Sequence, residues 1–152
     1  GVMTALISVS IIAILIYLSY EDIKTQNVQL NLLIIATILA AVQTVIHILE
    51  SGEGLGIKLF LITPGVLMLC TAIIRHERNI GIGDGITYII LGLMFDLPGF
   101  LCAVCFSNIL NLALCVPGLC MRKLRLTDNI PMIPFLTSGA MAGLICERIL
   151  YL

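Results

Sequence analysis

VMTALISVSIIAILIYLSY, residues 2–20, contains no charged side chain. A helix rises about 1.5 Å per residue, so these nineteen residues reach about 28 Å, close to the roughly 30 Å of a bilayer's hydrocarbon core. The stretch does not read as a cleaved signal peptide, because no Lys or Arg precedes it and no small-residue cleavage site interrupts it. Charges and amides from Glu21 to Gln29 end the run. Outward from it, apolar runs recur at about 30–49, 58–74, 84–97, 100–120 and 130–151. They are separated by the turn-rich SGEGLG of 51–56, by Arg75-His76-Glu77-Arg78, by Pro98-Gly99 and by a basic stretch at 121–129. The expected fold is all-α: a polytopic membrane protein, a bundle of six transmembrane helices in one membrane-embedded domain over 1–152.

Composition agrees. Hydrophobic residues make up 60% of the 152 and charged residues 11%, against about 25% charged in soluble domains. Mean hydropathy is +1.14. A net charge of -1 excludes the basic footprint of a nucleic-acid partner; the bilayer is the expected surrounding. The six cysteines, Cys70, Cys102, Cys105, Cys115, Cys120 and Cys146, lie inside or beside apolar runs, where small apolar packing between helices explains them. Neither a disulfide nor a zinc site is expected, since the one C-x-x-C, Cys102 and Cys105, has no second pair in a polar setting.

The fourth run is short. Its apolar part, 86–97, reaches only about 18 Å, so the glycine-rich segment before it must begin below the membrane surface or dip inward. Irregular backbone at that depth is tolerated where it is buried in protein or lines a wet cavity, and a cavity at the start of helix four is expected. Basic residues near span ends set the orientation. The loops after helices one, three and five hold Lys24, Arg75, Arg78, Arg122, Lys123 and Arg125; the other side holds Lys58 and Arg148. The odd-numbered loops are therefore assigned to the cytoplasm and both chain ends to the outside of the cell membrane.

This sorting leaves two acidic residues on the cytoplasmic side near membrane depth, Asp22 after the first span and Asp84 at the head of the short fourth. Taken singly, Asp22 can pair with Lys24 and Asp84 can cap a helix N-terminus. The run Gly81-Ile82-Gly83-Asp84-Gly85 asks for more, because three alternating glycines let backbone approach closely at a cost that a simple cap does not require. As a phosphate loop it fails, with no βαβ unit and no G-K-[ST].

Three separated segments together resemble the type IV prepilin peptidases, membrane aspartic proteases of the GxGD class. Asp22-Ile23-Lys24-Thr25-Gln26-Asn27-Val28 resembles the family's first aspartate segment. Gly81-Ile82-Gly83-Asp84 is similar to its GxGD motif at the head of the fourth helix, with Gly85 beside it. Ile130-Pro131-Met132-Ile133-Pro134-Phe135-Leu136-Thr137-Ser138-Gly139 resembles its closing P-x-x-P-F-L-x-x-G segment. The resemblance implies Asp22 and Asp84 as the catalytic pair, with Gly81, Gly83, Gly85, Lys24, Pro131 and Pro134 supporting the motifs. It implies a prepilin or pseudopilin-like substrate of type IV pilus or secretion systems, with a short basic leader, a glycine at the cut and an apolar helix behind it. It also implies the short form, without the N-terminal domain that carries two C-x-x-C pairs in larger members. Two positions depart from the family: Ile86 stands where a Lys is usual two residues after the second aspartate, and Gln29 lies near the family's Ile-Pro-Asn.

A carboxyl pair of this kind implies acid–base hydrolysis without metal or other cofactor. Two close carboxylates cannot both ionise comfortably and hold one proton as a unit; one takes a proton from the attacking water while the other polarises the scissile carbonyl. The positive end of helix four favours charge on Asp84. The alternative is a catalytically inactive homologue acting as a membrane assembly component, supported by Ile86 and Gln29. A proton-relay transporter would place its acids near the midplane with access from both sides.

Other polar residues have plainer readings. Gln43 and His47 share a face of helix two and read as a polar interhelical contact. Asn108 and Asn111 read as amides bonding neighbouring helices. Asp96 reads as an interfacial turn residue, Glu147 and Arg148 as anchors at the outer end of helix six, and His76 and Glu77 as a solvated loop.

Overall fold

Helices form where apolar residues run on without a break, and end where charge, proline or glycine accumulates. A computed structural model describes residues 2–25, 29–52, 54–75, 82–122 and 133–150. Within these, six helices follow in order: α1 (Val2–Thr25), α2 (Leu30–Ser51), α3 (Leu55–Arg75), α4 (Ile82–Met94), α5 (Leu97–Cys120) and α6 (Ile133–Leu150). All except α4 are long and apolar enough to cross a membrane, and the protein is a multi-pass membrane protein. The thirteen residues of α4 reach about 20 Å, less than a hydrocarbon core.

Two boundaries differ from the sequence reading in an informative way. α1 does not stop at residue 20 but runs through Glu21, Asp22 and Lys24 to Thr25, so Asp22 is a helical residue. The fourth helix ends at Met94, and α5 starts at Leu97 with Pro98 in its first turn, a position where proline's missing N–H costs nothing. At the end of α2, Gly52 has φ +69° and its N–H bonds the carbonyl of Ile48 at 2.9 Å, a left-handed cap that favours glycine.

α1 packs against α2 and α6, α2 against α4, α3 along α4, and α5 along α6. α1 runs antiparallel to α2 and to α6, as two contacts show: Gln43 Nε2 donates to Ser8 Oγ at 2.9 Å between α2 and α1, and the hydroxyls of Ser19 and Thr137 lie 2.8 Å apart between α1 and α6. α2 and α4 run parallel, with Thr44 Oγ1 donating to the Leu93 carbonyl at 2.8 Å. In lipid, water exclusion does not drive helices together, so close approach at small residues matters. A Cβ added at Gly92 would lie 2.6 Å from the Leu61 carbonyl oxygen, and one at Gly65 would lie 2.7 Å from the Ile89 nitrogen; these glycines set the α3–α4 distance. Gly139 does the same for α5 and α6, where a Cβ would collide with the Ala103 carbonyl. Ile11, Leu15, Leu18, Leu33, Ile90, Leu91, Phe95 and Leu136 form the fully buried centre, around α4.

Candidate active site

These helix directions bring the end of α1 and the beginnings of α2, α4 and α6 to one end of the bundle. Asp22 lies there, 8% exposed on the last turns of α1. It is held against α6: the backbone N–H of Ile133, at the first residue of α6, hydrogen-bonds its carboxylate. That N–H belongs to the first helical turn, where no intrahelical carbonyl is available, and the turn's dipole presents positive charge to the acid. One turn back on α1, Ser19 meets Thr137, whose own hydroxyl also bonds the Ile133 carbonyl at 2.8 Å. Two buried hydroxyls thus brace the α1–α6 seam beneath the carboxylate.

Asp84 lies at the same end, half-buried in the first turn of α4. Gly85 after it is buried against α3: a Cβ there would lie 3.0 Å from the Leu69 nitrogen and 3.3 Å from the Gly65 carbonyl oxygen. The glycine therefore lets the head of α4 sink onto α3, fixing the height of Asp84. Thr87 Oγ1 closes back on the Gly83 carbonyl at 2.7 Å. Ile86 is half-buried and packs against the apolar core.

Lys24 is exposed, and its ammonium stands 5.6 Å from the centroid of the Tyr20 ring; among the described residues it makes no ion pair with Asp22. Gln29 precedes α2 and donates to Glu21 Oε1 at 3.2 Å. Pro134 is in the first turn of α6 and half-buried. Gly81, Pro131, His76 and Glu77 lie outside the described residues, as does the segment where a cavity before helix four was expected.

At the opposite end, side chains the sequence treated as peripheral converge on a cavity of about 710 Å³ lined by Ser8, Gln43, His47, Lys58, Asp96 and Glu147 among others. Lys58 is buried. It donates to the Phe95 carbonyl at 2.8 Å and pairs with Asp96 Oδ1 at 3.3 Å. Glu147, read from sequence as an anchor, makes an interhelical tie: its Oε1 accepts the Asp96 N–H at 2.8 Å and joins α6 to the start of α5. Gln43 makes the interhelical contact its position suggested, to Ser8. The α5 amides depart from expectation. Asn111 accepts a bond from Cys115 of its own helix at 3.1 Å, and Asn108 is exposed. Missed in the sequence were Lys58 as an internal tie and the Ser19–Thr137 brace; a lysine opening an otherwise apolar run was the available sign of the first. Among the described residues, no three His, Cys, Asp or Glu side chains group to hold a metal.

The model of one protein family, described as the type IV leader peptidase family, matches residues 9–116. No curated protein and no solved structure matches.

Proposed function

The chain belongs to the type IV leader peptidase family, and from that premise we propose that it is a membrane aspartic endopeptidase. It removes the basic leader of a prepilin-like or pseudopilin-like substrate at the cytoplasmic face of the cell membrane, with Asp22 and Asp84 as its acid/base pair. The observation that carries this reading is the position of the two acids. Both lie at one end of the bundle, on α1 and α4, two helices that each pack on α6.

In this reading one carboxylate takes a proton from water as the oxygen attacks the scissile carbonyl carbon, and the other, protonated, donates to the carbonyl oxygen. The tetrahedral intermediate collapses with cleavage of the C–N bond, and the amine leaves with a proton returned by the pair. Gly83 and Gly85 place Asp84, and Pro134 lies in the first turn of α6, whose first N–H steadies Asp22; Gly81 and Pro131 belong to the same two motifs by sequence. No cofactor takes part. The excess of Lys and Arg beside the odd-numbered loops supports the cytoplasmic side, where a substrate's basic leader also stays. The peptidase domain is taken as residues 1–152.

A second reading, an inactive homologue serving in pilus or secretion assembly, rests on Ile86, an apolar residue turned to the core where the family has Lys. Cleavage of a leader-bearing prepilin in liposomes separates the two. Product from the wild type and none from Asp22→Asn or Asp84→Asn, with helix content unchanged, is the expected result. Normal cleavage by either variant removes the dyad, and no product from any of the three with a validated substrate supports the assembly reading.

A further inference from the structure

α5 is a peripheral helix. One side, with Gly99, Phe100, Ala103 and Ser107, is buried, and its main neighbour is α6. The opposite side carries Leu101, Cys105, Asn108, Leu112, Cys115 and Leu119. Their spacing alternates four and three, the a/d seam of a coiled coil. Leu101 is 51% exposed and Leu112 61% exposed, and Cys105 and Asn108 are exposed as well. Among the described residues no other helix covers this face.

Exposed leucines on a membrane helix face lipid and call for no explanation. Asn108 does. It stands at the middle of the 24-residue α5, at the depth of the hydrocarbon, and no hydrogen bond to its amide occurs among the described residues. An amide there faces lipid tails that can neither donate nor accept. Another helix presenting a donor and an acceptor at the same depth would satisfy it. A second Asn108 does both, and a two-fold axis along the membrane normal brings the two residues to equal depth by symmetry. The heptad spacing supplies the surrounding contacts, with Cys105 and Leu112 flanking the amide. A single polar residue in such a seam also fixes register and the number of strands.

We propose that the protein forms a parallel homodimer in the membrane through the Leu101–Leu119 face of α5, with the two Asn108 amides hydrogen-bonded across the axis. The proposal is independent of the peptidase reading.

Oxidative cross-linking of the full chain in phospholipid vesicles tests it. Variants retain one cysteine each, Cys105 on the seam or Cys70 on the exposed surface of α3, and are treated with copper phenanthroline. The expected result is rapid covalent dimer from Cys105 and little from Cys70. Energy transfer between labelled chains, followed as lipid is added, gives the association constant; Asn108→Leu lowers it about tenfold, while Asn108→Gln retains most of it. Helix content reports folding of each variant. Equal cross-linking from Cys70 and Cys105, or association indifferent to Asn108→Leu, overturns the proposal. Wild-type association unchanged by Asn108→Leu alongside weakened binding of a prepilin overturns it in favour of the substrate's helix as the occupant.

Discussion

Lys58 Nζ stands 3.3 Å from Asp96 Oδ1 and 2.8 Å from the carbonyl oxygen of Phe95, so one buried ammonium ties the start of α3 to the turn between α4 and α5. Glu147 reaches the same turn from α6 through the Asp96 N–H. The short α4 is therefore clamped at the end remote from the aspartates, while Gly85 seats its other end on α3. A helix too short to span is held at a set depth from both ends.

Removing one member of the buried pair takes the countercharge from the other. Lys58→Met is expected to destabilise the protein by about 3 kcal/mol. Thermal unfolding in detergent measures this. The double variant Lys58→Met with Asp96→Leu is expected to lose less than the two single variants combined, because neither member of the pair is left without the other. Additive losses would show that the pair is not coupled.

The brace beneath Asp22 is expected to affect chemistry more than folding. Thr137→Val removes the hydroxyl shared by Ser19 and the Ile133 carbonyl at a cost of about 1 kcal/mol. By shifting the start of α6, it lowers single-turnover cleavage by up to about tenfold. Thr137→Ser retains the hydroxyl and most of the rate. Equal rates in wild type and Thr137→Val would mean that the seam does not position the acid.

Gly85→Ala tests how Asp84 is placed. The added methyl meets the Leu69 backbone at 3.0–3.2 Å, and α4 must lift away from α3. Cleavage is expected to fall at least about tenfold while helix content by circular dichroism is unchanged. Full activity in this variant would show that the height of α4 above α3 does not govern the reaction.

At the α5–α6 contact, Gly139→Leu drives a side chain into the Ala103 carbonyl and Ser107. The loss of stability is expected to be about 1–3 kcal/mol, read as a lower midpoint of thermal unfolding. A change within error would mean that the two helices separate freely.

Much of this was open to reading in the chain alone. Hydrophobicity is a local property, and a run of apolar residues either matches the membrane thickness or does not, so the spans, the short α4 and the all-α class follow from 60% hydrophobic residues and their interruptions. Asp22 and Asp84 were visible for the same reason, as acids at the edges of apolar runs beside glycines. Tertiary structure alone decided which polar groups meet. Nothing local joins Lys58 to Asp96, Glu147 to the Asp96 N–H, or Ser19 to Thr137 across 118 residues, because each pairing depends on how separate helices are seated. For the same reason the two asparagines of α5, alike in sequence, diverge in the fold. Asn111 finds a partner on its own helix and Asn108 faces outward; a helix's pattern marks its faces, but only packing determines which of them is covered.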